Sequence, residues 1–230
     1  MARHENSGKT SNGIAMTGVK VKICGITNWR DARRACEAGA DFLGFNFFPG
    51  SPRYIEPAKA RRIVRRLPRR VRAVGVFQNE TEDKVREIAR RTGLAYLQLH
   101  GDESPAMVAR LGRAWPVIKA VRVGKSFRPA QLRRYRGAAA LLLDGFHRHL
   151  RGGTGRTFDW KLARQASRYG RIVVAGGLKP ENVAEAVRVA RPYAVDTASG
   201  VESAPGKKDA ARMKAFVAAV RRGGRSRRKR

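Results

Sequence analysis

The chain has 230 residues, 42% of them apolar, and a formal net charge of +32. That length supports one well-buried core, and no Pro-, Gly- or Ser-rich linker divides it, so one domain is expected. No run approaches the ~18 apolar residues of a membrane helix, and residues 1–17 hold no apolar stretch suited to a signal peptide, so a cytoplasmic protein with no membrane partner is expected. In chain order, apolar strand-like runs alternate with segments of helical period. The first strand, 19–24, is followed by a helix over 29–38 with Gly39 as its stop. A strand over 41–47 precedes a helix over 57–66 that opens on proline, a residue well tolerated at the first helical position. The strand at 71–77 leads to a helix opening at Glu80-Thr81-Glu82-Asp83, where acids suit the helix dipole. Then come 96–99 with 104–111, 115–121 with 129–135, 138–143 with 160–167, 171–175 with 180–190, and 193–196 with 208–221.

Eight strand–helix units predict an α/β protein, a (β/α)8 (TIM) barrel over residues 18–222. Residues 1–17 are read as a disordered tail and 223–230 as a basic one. An open doubly wound sheet is the alternative, and the lack of Gly-x-Gly-x-x-Gly after the first strand argues against it. In a barrel, the loops that follow the strands share one face.

The cysteines, Cys24 and Cys36, are expected to be free, because a strand residue and a residue of the next helix are poorly placed for a bridge. Alternation along 19–24 sets Lys20, Lys22 and Cys24 on one side and Val19, Val21 and Ile23 on the other, against the helices. Cys24 then points into the barrel mouth, either as a packing thiol or as a reactive one whose pKa a neighbouring lysine lowers. Asp144 ends a fully apolar run, where a carboxylate is costly unless paired or used. Asp196 closes the last strand in similar fashion, and either aspartate caps a loop or meets a substrate.

Gly176-Gly177 after strand seven and Ser199-Gly200 after strand eight offer backbone N–H groups for a phosphate, the corner where barrels of this class often bind one. Arg53, in a proline-stiffened loop, is either a solvated arginine or a clamp on a carboxylate. His100 ends strand four, as a structural residue or a substrate contact. No second ligand at metal spacing accompanies it, so no metal is expected. The loop 152–155, Gly-Gly-Thr-Gly, is a lid or a connector.

The positive charge is read as follows. The run 221–230 holds seven basic residues and no acid, and the remaining excess is spread over pairs such as Arg65-Arg66 and Arg133-Arg134 on helix-like segments. Without interleaved aromatics for stacking, nucleic-acid binding is expected only as an incidental property of a basic surface.

Together these motifs resemble the phosphoribosylanthranilate isomerases of tryptophan biosynthesis. The resemblance covers residues 19–220 and rests on Lys22-Ile23-Cys24-Gly25-Ile26-Thr27, Ser51-Pro52-Arg53, Val74-Gly75-Val76-Phe77, Gln98-Leu99-His100-Gly101, Leu142-Leu143-Asp144, Gly152-Gly153-Thr154-Gly155 with Phe158-Asp159-Trp160, Ala175-Gly176-Gly177-Leu178 and Ser199-Gly200-Val201-Glu202. It implies an Amadori rearrangement of N-(5-phosphoribosyl)anthranilate without a cofactor, by a monomer or homodimer whose partner is a small anionic substrate. By the same resemblance, Asp144 is the general acid and Cys24 the general base. Arg53 then binds the anthranilate carboxylate, His100 and Asp196 line the site, and Gly177, Ser199 and Gly200 cradle the phosphate. Two rivals stand beside it: the related histidine-pathway isomerase, which uses two aspartates, and a nucleic-acid-binding protein on a barrel scaffold.

Overall fold

Short runs rich in Val, Leu and Ile, each ended by a small or polar residue, form eight parallel strands that close into a barrel in sequence order. The structure is a computed structural model describing residues 18–145 and 158–225. The strands are β1 (Lys20–Cys24), β2 (Phe42–Asn46), β3 (Arg72–Phe77), β4 (Tyr96–Leu99), β5 (Val117–Arg122), β6 (Ala140–Asp144), β7 (Ile172–Ala175) and β8 (Ala194–Thr197). The helices packed outside them are α1 (Trp29–Ala38), α2 (Pro57–Val64), α3 (Glu82–Thr92), α4 (Pro105–Gly112), α5 (Trp160–Ala166), α6 (Val183–Ala190) and α7 (Ala210–Arg225). The expected (β/α)8 barrel is therefore the observed one.

Strand alternation sorts the apolar residues into two layers. Val21, Ile23, Leu43, Phe45, Leu141 and Leu143 pack outward against the helices. Val74, Ile118, Leu142, Val173 and Ala194 fill the barrel interior. Local chemistry starts and stops the helices: Asn28, Thr81 and Ser104 accept hydrogen bonds from amides of the first turn. Gly39 and Gly93 take left-handed φ values of 98° and 74° to end α1 and α3.

Four elements differ from the sequence reading. Residues 129–135 form a 3-10 helix rather than an α-helix. The helix expected from 180 starts at Val183, because Asn182 accepts from the Lys179 amide and donates to the Gly177 carbonyl, holding 179–182 in a turn. Before α7 the chain makes a small antiparallel pair, β9 (Glu202–Ala204) and β10 (Lys207–Lys208), turning at Gly206 with φ 78°. The last helix reaches Arg225, beyond 222, with Gly223 buried against Ala184 and Val187. The 152–155 loop and residues 1–17 and 226–230 lie outside the described residues. No helix among the described residues is long and apolar enough to cross a membrane.

Candidate active site

At the C-terminal ends of the strands lies a cavity of about 330 Å³, lined by Cys24, Arg53, His100, Asp144, Asp196, Gly177 and Ser199 among others. Seven of the eight residues singled out from the sequence thus line one space. The eighth, Gly200, follows Ser199 in a short 3-10 turn, Ser199–Val201.

Strand register explains the grouping around Cys24. The seam that closes the barrel pairs Lys22 with Asp196, and the β1–β2 ladder pairs Cys24 with Gly44. Lys22 Nζ donates to Asp196 Oδ2 at 2.9 Å, with both side chains almost wholly buried. Asp196 lies one residue before the end of β8, not at its end as the sequence suggested; Thr197 follows and donates through its hydroxyl to the Leu178 carbonyl at 2.8 Å. Gly44 leaves the room that the thiol needs, because a β-carbon there would stand 2.6 Å from Cys24 Sγ and 3.1 Å from Lys22 Nζ. Gly44→Ala is therefore expected to push the thiol from its seat and to cost about 1–3 kcal/mol through overpacking, read as a lower midpoint in urea unfolding.

Charge around the thiol corrects one expectation. Burial is the largest influence on Cys24 and pushes its pKa up; the charge and hydrogen bond of Lys22 pull it down but do not prevail. The lysine beside the thiol thus moderates a rise instead of producing the lowered value the sequence suggested, because the strand interior withholds water from the thiolate. Burial also works to lower Lys22, yet the charges of Asp196 and Cys24 outweigh it and hold Lys22 as an ammonium.

Across the cavity, His100 Nε2 lies 3.1 Å from Asp144 Oδ2, while the Gln98 side-chain nitrogen lies 2.8 Å from His100 Nδ1. With the Gln98 amide donating, Nδ1 accepts and Nε2–H points at Asp144. The backbone that carries His100 is clamped from below. Lys119 Nζ donates to the carbonyls of Leu99 (3.2 Å) and Gly101 (2.7 Å) and to Glu103 (2.9 Å), and Glu103 accepts from the amides of Asn79 and Gly101. Sequence reasoning missed Lys119 and Glu103. The available signal was a lysine inside the apolar run Val117–Arg122.

Arg53 carries its side-chain stem over Gly25, whose φ of 80° and missing β-carbon make the space. Its Nε and Nη2 meet Glu202 at 2.9 and 2.6 Å, and Lys208 Nζ meets the same carboxylate at 2.7 Å. The hydrogen bonds that Arg53 donates to Glu202 raise its pKa further, so the guanidinium is a fixed cation. Glu202 uses one edge of the fork and leaves Nη1 for another acceptor.

On the third side, Gly176 and Gly177 adopt left-handed φ values of 83° and 68°. Among the described residues, none accepts a hydrogen bond from the amides of Gly177 or Ser199. Gly200 has no space for a side chain, because a β-carbon would collide with the Leu178 carbonyl. No cluster of three or more His, Cys, Asp or Glu side chains able to hold a metal occurs among the described residues.

Comparison with known proteins decides between the candidate barrel enzymes. Residues 21–219 match the family model described as N-(5'phosphoribosyl)anthranilate (PRA) isomerase. The chain belongs to the phosphoribosylanthranilate isomerase family. Within that family, the isomerase of Trichlorobacter lovleyi is 50% identical over 200 residues, 86% of this chain and 96% of the relative. The isomerase of Myxococcus xanthus is 48% identical over 207 residues, 88% of this chain and 96% of the relative. Among solved structures, phosphoribosylanthranilate isomerase from Thermotoga maritima superposes with a TM-score of 0.82 at 45% identity, covering 88% of this chain and 98% of that one. Another, in complex with reduced 1-(o-carboxyphenylamino)-1-deoxyribulose 5-phosphate, gives a TM-score of 0.79 at 43% identity, covering 88% and 98%. The chain is thus an isomerase of this family, and the nucleic-acid-binding scaffold is set aside as its primary reading.

Proposed function

We propose that the chain converts N-(5-phosphoribosyl)anthranilate to 1-(2-carboxyphenylamino)-1-deoxyribulose 5-phosphate in tryptophan biosynthesis, with Asp144 as general acid and Cys24 as general base. The observation that carries the proposal is the meeting of a thiol, a carboxylate, a fixed guanidinium and a pair of glycine loops around one cavity. Asp144 gives its proton to the furanose ring oxygen, and the ring opens to a protonated Schiff base. The Nε2–H of His100, 3.1 Å away, supports the carboxylate this leaves. The iminium acidifies the sugar C2–H, so the Cys24 thiolate removes that proton even though burial makes the thiolate scarce. The C–H electron pair forms the C1=C2 bond of an enolamine, which takes up a proton at C1 and gives up its C2 hydroxyl proton, leaving a ketone at C2 and no net change in composition. Lys22, fixed on Asp196, keeps a positive charge near the thiolate. The amides of Gly177, Ser199 and Gly200 hold the phosphate, and the free edge of Arg53 takes the anthranilate carboxylate.

Arg53→Met is expected to raise KM about 10–100-fold with a smaller change in kcat, as removal of one charge-assisted hydrogen bond of about 1.5–3 kcal/mol implies. The check is steady-state kinetics across a substrate series.

The reaction itself is tested by mass spectrometry of freshly generated phosphoribosylanthranilate after incubation with the chain. The proposal expects a product of unchanged mass that takes up deuterium at C2 on borodeuteride treatment, as a C2 ketone does, whereas the imine of unconverted substrate takes it up at C1. Release of anthranilate, or recovery of unchanged substrate, would refute it.

A further inference from the structure

Every connection from a helix end back to the next strand lies at the floor of the barrel, opposite the cavity. These seven connections are residues 39–41, 65–71, 93–95, 113–116, 136–139, 170–171 and 191–193. They contain eight arginines, no lysine and a single carboxylate, Asp41. Asp41 is already engaged by Lys20 Nζ and the Val21 amide, each at 2.9 Å. All eight arginines are exposed, and among the described residues none has a carboxylate within 4.0 Å. Acids gather instead at helix starts on the cavity side, among them Asp31, Glu82, Asp83 and Asp159.

Helix dipoles favour a cation near each C-terminus, but four arginines in the one connection 65–71 exceed that role. Nor does the floor steer substrate. A five-residue strand rises about 16 Å, about twice the Debye length of about 8 Å at physiological ionic strength, so exposed floor charges are largely screened from the mouth. Arginines without carboxylate partners stand in five of the seven floor connections, though the Arg66 guanidinium lies over the Trp29 ring at 4.0 Å, and such a spread suits a ligand that presents several phosphates to one face.

We propose that the barrel floor binds the phosphate backbone of double-stranded nucleic acid without reading its sequence. Single strands are bound by stacking bases on open aromatic rings, and the floor presents none. Its Trp115 and Tyr193 are only partly exposed and lie under the guanidinium groups of Arg90 and Arg171, at 5.9 and 5.2 Å. A membrane surface would take up exposed apolar side chains. The one large exposed apolar side chain among the described residues, Tyr54, is in the β2–α2 loop on the cavity side.

The test is fluorescence anisotropy of the full chain with a labelled 24-base-pair duplex DNA, titrated between 50 and 300 mM KCl. One variant carries Arg65→Glu, Arg69→Glu, Arg113→Glu and Arg136→Glu, four exposed residues whose side chains make no hydrogen bond among the described residues. A control carries Arg30→Glu, Lys59→Glu, Lys125→Glu and Lys161→Glu on the cavity side, changing net charge equally. The floor variant should weaken duplex binding at least tenfold more than the control. Its slope of log K against log salt should become shallower by about 0.9 for each phosphate it no longer neutralises. Its isomerase turnover should be retained, and the four Arg→Gln changes should act in the same direction with a smaller effect. Equal weakening by the two variants would overturn the proposal, as would tighter binding to a single-stranded oligonucleotide or to phosphatidylserine vesicles.

Discussion

Cys24→Ala is expected to lower kcat on phosphoribosylanthranilate by about 10²–10⁴-fold, the usual contribution of one positioned acid–base group, with KM little changed. Cys24 stands at the end of β1 over Gly44, close to Lys22, on the cavity that also receives Asp144. Removing its sulfur deletes the base without touching the phosphate loops or Arg53, so binding survives while proton removal fails. The pH profile gives an independent sign. Because burial lifts the thiol above its ordinary value despite Lys22, kcat/KM should climb with pH along a limb centred above the pKa of an exposed cysteine. That limb should vanish in the variant. A limb centred well below the ordinary thiol value would show that the cation, not burial, governs the site.

Lys22→Met should destabilise the barrel by about 3–5 kcal/mol, measured by urea unfolding at neutral pH, because it leaves a buried carboxylate without its cation. Asp196 Oδ1 already lacks a hydrogen-bond partner among the described residues, and Oδ2 depends on Lys22 Nζ. The loss is structural and chemical together. With the ammonium gone, nothing as near opposes the burial that raises the Cys24 pKa, so the alkaline limb of kcat/KM should move to still higher pH. A double change, Lys22→Met with Asp196→Leu, should recover part of the stability and none of the activity, since an apolar pair of similar bulk removes the uncompensated charge. Equal stability of Lys22→Met and the parent would mean that the seam pair contributes nothing to closure.

Much of the architecture and of the site was legible in the residues alone. Eight alternations of short apolar run and helical period specify the barrel, and period-two alternation along β1 correctly turns Cys24 inward and Ile23 outward. Motif order brought Asp144, Arg53, His100 and Asp196 to attention, and these residues share one cavity. What stayed hidden depends on register or on distant partners. That Gly44 faces Cys24 follows only from how β1 and β2 are paired. The bond between Arg53 and Glu202 joins residues 149 positions apart, and the His100–Asp144 contact spans 44. The sign of the Cys24 shift was misjudged for a related reason: a neighbouring lysine is visible in the sequence, whereas the degree of burial is not. The β9–β10 hairpin has no sequence signature because strands of three and two residues carry no period, and beside its backbone ladder the Glu202–Lys208 ion pair at 2.7 Å joins its strands.

Turnover of freshly generated phosphoribosylanthranilate, followed by loss of anthranilate-type fluorescence for the parent chain, Cys24→Ala and Asp144→Asn side by side, tests the central claim most directly. Rapid loss with the parent, and loss slowed by two or more orders of magnitude in each folded variant, is the predicted result. Parent-like turnover in either variant would contradict the assignment of base and acid, and no turnover by the folded parent would contradict the proposed reaction.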